Sequence, residues 1–188
     1  MKLIRENTIM IKMIRVVPIL FLLLLAGGAK AETEAVTVLG LTMGQSTPKD
    51  VRDAFQGVRQ TGVNRYSNGP MLNTRGDVGV RGVKETTFIF SEDERLVAVL
   101  IEMPKHRFEE IVDALGAQYE LVRSQGLRSR VGNRSAEFRR GDVSIKLDAP
   151  HMSFDMSLLY AKEAFLARFD ETQRREQEAE RAQERGRL

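Results

Sequence analysis

Apolar positions along the chain change period several times, and each change predicts a new element. Residues 36–43 are apolar enough for a strand. From Thr47 the spacing turns helical, with Val51, Ala54 and Phe55 recurring at offsets of three and four while Lys49, Arg52 and Asp53 point elsewhere. Thr47 can cap this helix, Pro48 takes its first position, and Asp50 sits three residues past the cap. Further on, Phe88 and Phe90 alternate, Ser91-Glu92-Asp93-Glu94 supplies a polar turn, and residues 96–103 return as an almost continuously apolar strand. That continuity predicts a central place in a sheet. Phe108, Ile111, Val112 and Leu115 then mark a second helix, with Glu109, Glu110 and Asp113 on its outer side.

After this helix, residues 119–124 resume a strand, and a second hairpin follows. Ala136 and Phe138 are answered by Val143, Ile145 and Leu147 across Arg140-Gly141, a pairing that sets Phe138 against Val143 and Arg139 against Asp142. Beyond Pro150, Met152, Phe154, Met156 and Leu158 alternate on one side of a last strand. Residues 57–84 lack such a period. Glycines punctuate them, Val58 to Tyr66 holds one strand-like run, and Pro70, Met71 and Leu72 would place apolar contact groups on a long loop.

The expected architecture is α+β: a mostly antiparallel sheet with helices on one face, built from two helix-plus-hairpin units (residues 36–104 and 105–160). A C-terminal helix can pack through Ala164, Phe165, Leu166 and Phe169. Residues 170–188 carry no apolar stripe, so a solvated, frayed helix or a disordered tail is expected there.

The first 31 residues read as a cleaved signal peptide. Lys2, Arg5, Lys12 and Arg15 precede an eleven-residue apolar run from Val16 to Ala26, and Ala29-Lys30-Ala31 has the form of a cleavage site. Met10 or Met13 are alternative starts. The run falls short of the roughly 20 apolar residues a membrane-spanning helix needs. This reading changes the charge argument. The 188-residue chain has 29 basic and 26 acidic residues, but five of the former and one of the latter lie in the leader, leaving 24 against 25. The basic balance therefore gives no support for nucleic-acid binding. With no cysteine, the chain can form no disulfide and accept no lipid on a cysteine after the signal. A single domain over residues 32–169, periplasmic or secreted, is the expectation.

Chemistry is sparse. His106 and His151 are the only histidines, and no nucleophile, zinc or phosphate-loop motif is present. No catalytic residue, metal or cofactor is expected. The clearest cluster is basic: Arg123, Arg128, Arg130 and Arg134, whose planar guanidinium groups suit carboxylate or phosphate ligands and so form a candidate anion- or partner-binding surface.

Around "GLTMGQSTPKDVRDAF" followed by a hairpin, the chain resembles small bacterial envelope proteins of the SmpA/OmlA (BamE-like) type. It also resembles the β-lactamase inhibitor protein, whose fold doubles a similar helix-plus-sheet unit. The shared signal is the Gly40-Leu41-Thr42-Met43-Gly44 entry into a helix, and the order of elements after it. The resemblance implies a non-enzymatic role in the cell envelope through binding another protein, and it transfers no functional residue. The expected function is thus that of a soluble exported partner-binding protein. A small-ligand carrier or enzyme, with an apolar pocket between sheet and helices, is the alternative.

Overall fold

The computed structural model describes residues 35–129 and 131–187, so the leader and Arg130 lie outside it. The apolar stretch that opens it is not one strand but a miniature hairpin of Thr37–Val38 (β1) and Leu41–Thr42 (β2). Leu39 and Gly40 turn the chain with φ of 52° and 78°, the paired positive values of a type I′ turn. Helix α1 (Pro48–Ala54) starts as its sequence dictates: the Thr47 hydroxyl accepts from the Asp50 N–H, and the Asp50 carboxylate accepts from the Thr47 N–H at 2.7 Å.

Four strands follow: β3 (Arg59–Val63), β4 (Asn68–Thr74), β5 (Glu85–Ser91) and β6 (Leu96–Pro104). A 3-10 turn at Lys105–Arg107 leads into α2 (Phe108–Gly116), and four more strands come after it: β7 (Glu120–Gln125), β8 (Arg134–Arg140), β9 (Val143–Ala149) and β10 (Asp155–Lys162). The eight form one antiparallel sheet in the order β3-β4-β5-β6-β10-β9-β8-β7. A helix followed by a four-stranded meander is thus laid down twice, and the last strands of the two meanders, β6 and β10, pair along the middle. The fold is α+β with the sheet dominant.

Alternation sends Leu72, Phe88, Phe90, Val99, Met103, Phe138, Ile145, Leu147 and Met156 to one face. There they bury against Val51 of α1, Phe108 and Leu115 of α2, and the β1–β2 hairpin. Phe55 stacks on Phe88 with ring centroids 5.6 Å apart. Fully burying a side chain of this size contributes about 1.5–3 kcal/mol, so this shared face is what holds both halves together.

Three local expectations change. Residues 68–74 are a strand, not a loop. Leu72 is fully buried, while Pro70 and Met71 are half-buried, so the three do not form an apolar contact group. A strand survives in this glycine- and proline-containing segment because it bulges between Asn68 and Met71. Pro70 sits inside that interruption of the ladder, where its missing N–H costs nothing. At Gly69 a Cβ would stand 2.1 Å from the Ser91 carbonyl oxygen, so only glycine lets β4 approach β5 this closely.

The β8–β9 hairpin turns on Gly141 and Asp142, with Gly141 at φ 56°. The register accordingly places Phe138 against Ile145 and Arg139 against Ser144. A shift of two residues keeps every side chain on its expected face, which is why the apolar pattern alone could not distinguish the two pairings. Strand β10 begins only at Asp155, so Met156 and Leu158 are buried while Met152 and Phe154 stand in solvent. The C-terminal helix is present as expected: α3 (Glu163–Arg185) is continuous and exposed along its second half.

Candidate functional site

The face of the sheet turned away from α1 and α2 is where side chains are left over. Cross-strand partners share a face, so the registers read out its rows directly. One row runs through Met71, Ile89, Ala98, Ala161 and Ser144. Ala98 and Ala161 are fully buried because α3 starts here: Phe165 packs on them, with Leu166, Val97, Ile89 and Leu159 around it. Two adjacent methyl side chains leave the depth a phenyl ring needs. From there α3 reaches the β3–β4 turn, where Phe169 meets Tyr66 edge-on at 4.7 Å and Glu176 pairs with Arg65 at 3.0 Å.

The next row is largely uncovered, with Leu159 at its centre flanking Phe165. It crosses all eight strands as Arg59, Asn73, Thr87, Leu100, Leu159, Lys146, Glu137 and Arg123. Its centre is apolar, with half-exposed Leu100 beside Leu159, and its outer members are charged. A third row carries Glu85, Glu102, Ser157 and Asp148, with three carboxylates among the four.

At the β3–β5 end this face deepens into a cleft of about 660 Å³, lined by Arg59, Thr61, Met71, Asn73, Arg75, Glu85 and Thr87. Glu85 is its electrostatic anchor. It accepts from the Asn73 amide at 2.7 Å and from the Arg75 guanidinium at 2.9 Å. The Asn73 hydrogen bond, and after it Arg75, hold the Glu85 carboxyl below its ordinary range. Thr87 accepts a second bond from Asn73 at 3.0 Å, which fixes the amide orientation. The arrangement presents fixed donors, a committed carboxylate and the Arg59 cation, which has no ion-pair partner among the described residues, on rigid strands, and this suits recognition of a polar surface. No nucleophile–base pair accompanies it among the described residues. Nor does any group of three or more His, Asp or Glu suited to a metal occur there.

The arginines expected to form one surface do not assemble. Arg134 is buried beneath α2: its guanidinium pairs with Glu109, lies 4.3 Å from the Phe108 ring centre, and donates to the Lys105 carbonyl at 3.4 Å. It is a packing group that carries its charge inward to a partner. Arg123 belongs to the uncovered face through its pairing with Glu137, Arg128 is exposed in the β7–β8 connection, and Arg130 lies outside the described residues. A bulge between Leu121 and Arg123 contributes to this dispersal, since it changes the parity of the strand.

Between sheet and α2 a smaller cleft of about 250 Å³ is lined by Val38, Ile101, Met103, Leu115, Tyr119 and Tyr160. Tyr119 and Tyr160 meet edge-on at 6.4 Å, and burial pushes both phenols up from their ordinary pKa, Tyr160 the more strongly. Its volume lies below the roughly 300–1,000 Å³ of drug-sized ligand sites. Compared with known protein families, curated proteins and solved structures, the chain shows no match.

Proposed function

We propose that this is a non-catalytic, exported protein of the cell envelope that binds a protein partner on the uncovered rows of its sheet. The observation that carries the reading is the row from Arg59 to Arg123. It is a rigid strip eight strands wide, apolar at Leu100 and Leu159, charged at both ends, and reached by α3 where Leu159 flanks Phe165. Interfaces of this kind combine an apolar centre with a polar rim. The doubled helix-and-meander order is in keeping with the resemblance to the β-lactamase inhibitor protein, and the leader supports export to the periplasm. The carrier alternative is the weaker one, because the space between sheet and helices is largely filled by side chains.

The test is position-dependent photo-crosslinking in the native cell, with the reactive residue placed at Thr87, Lys146 or, as a control, Glu92 on the far turn. A common adduct from Thr87 and Lys146 that is absent from Glu92 is expected. Adducts of equal yield at all three positions, or none at any, would defeat the proposal.

A further inference from the structure

A second surface lies at one end of the sheet, away from the uncovered rows. The β9–β10 connection, residues 150–154, exposes Met152 at 91% and Phe154 at 93%, and Val131 in the β7–β8 connection stands 73% exposed. Such exposure of three apolar side chains needs a reason, because the turn that carries them is firmly held. The Lys105 ammonium donates to the carbonyls of Pro150, His151 and Ser153, and the Lys105 N–H donates to the Phe154 carbonyl at 2.9 Å. The His151 N–H donates to Asn133 at 2.8 Å, and the His151 ring accepts from the Gly132 N–H at 3.0 Å. These bonds tie the Val131 connection and the Met152–Phe154 turn into one platform.

Charge divides the molecule along the same axis. Among the described residues, the strand registers bring residues 75–84, 104–107, 126–129, 131–133 and 150–154 to this end. Together they contain six Lys or Arg and one acid, Asp77, while Asp155 and Glu110 beside them pair with Lys84 and Arg107. Arg81 and Arg128 among them have no ion-pair partner among the described residues. The turns at the opposite end, residues 64–67, 92–95 and 141–142, hold four acidic and two basic residues.

We infer that the Val131–Met152–Phe154 end docks on an anionic phospholipid bilayer, its apolar tips entering the headgroup region and its flanking cations facing lipid phosphates. Separate convex tips favour lipid over a protein partner. A fluid layer takes up isolated prongs without a shaped pocket, and anionic headgroups attract a rim with an excess of cations. The acidic far end would be repelled, so the same field sets the orientation. No described helix is long and apolar enough to cross a membrane.

The chain contains no tryptophan, so Phe154→Trp installs a single reporter at the tip, and Asp93→Trp places one at the opposite end as a control. Phe154→Trp emission should shift to the blue on phosphatidylcholine vesicles containing phosphatidylglycerol, and the shift should fade as salt rises. Phosphatidylcholine alone should produce little shift, and Asp93→Trp should stay silent on both. Met152→Ser/Phe154→Ser, with an unchanged thermal melt, should sediment with anionic vesicles about tenfold or more less than the unaltered protein, given the apolar area removed. No blue shift on either vesicle overturns the inference, as does an equal shift on both or an unaffected double variant. A shift that requires an added protein would reassign the tip to a protein interface.

Discussion

The two meanders share a strand plan but differ in almost every connection. In the first half, β4 and β5 are joined by the ten residues 75–84, and β5 and β6 by an acidic turn, Ser91 to Arg95. In the second half the corresponding β8–β9 link is Gly141-Asp142, and the β9–β10 turn is apolar and basic in its setting. The helices differ in the same spirit. Helix α1 has a full capping box, whereas α2 is entered through a 3-10 turn with no side-chain cap. What the halves keep in common is what buries apolar area. What they vary is exposed, and that is where recognition can change without unfolding the scaffold.

The comparison can be broken at its strongest point. If the β6–β10 seam makes the halves one cooperative unit, Phe88→Ala and Phe138→Ala should each lower unfolding stability by about 3–5 kcal/mol. Both should do so in a single denaturant transition, whichever half is hit; two separable transitions would mean that the halves fold independently. Next in size, Arg134→Ala should cost about 2 kcal/mol by chemical denaturation, because it leaves Phe108 uncovered and Glu109 without its partner. Arg128→Ala should stay within about 0.5 kcal/mol, being exposed. Equal costs at the two positions would refute the assignment of Arg134 to packing.

A smaller effect separates the two helix starts. Thr47→Ala should cost about 1 kcal/mol. It should also flatten the acid dependence of stability. In the folded protein the Thr47 N–H, and after it the Thr47 hydroxyl, hold the Asp50 carboxyl below its ordinary range. Stability from that source is therefore present above the ordinary carboxylate range and is lost as pH falls through the lowered value. At the α2 entrance the Arg107 guanidinium instead holds the Glu110 carboxyl below its ordinary range, so Thr47→Ala should reduce rather than remove the acid dependence of the one unfolding transition, as denaturation across a pH series would show. Smallest of all, Glu92→Ser with Asp93→Ser should change stability by less than about 0.5 kcal/mol, which a thermal melt would check.

Much of this plan is legible in the sequence, for physical reasons that also mark where reading stops. Thr47, Pro48 and Asp50 act through local hydrogen bonds, so their spacing suffices. The Phe88–Phe90 and Val143–Leu147 alternations survive because one face is buried. Strand β4 was hidden because Gly69 and Pro70 have poor strand propensity, and only the close approach to Ser91 and the bulge explain them. The same limit applies to surfaces. Arg134 looks like its neighbours Arg123 and Arg128 in a string of residues, yet Phe108 and Glu109, the latter 25 residues earlier, decide that it turns inward. Met152 and Phe154 continue the alternation of β10 on paper, and only the start of pairing at Asp155 shows that they escape burial.

The seam between β6 and β10 has one more consequence. Apart from each other, the two meanders would each end on an unpaired strand, and in the first that strand is the nearly unbroken apolar run of Leu96–Pro104. Such an edge templates indiscriminate pairing. Because the chain passes from one meander to the next through Lys105–Arg107, the matching strand is supplied within the same molecule, at an effective concentration that dilution cannot lower. Both remaining outer strands, β3 and β7, carry bulges, between Gln60 and Gly62 and between Leu121 and Arg123. The duplication is in this sense a covalently tethered dimer: its association is first-order, and its two free ends are shaped against recruiting a third member.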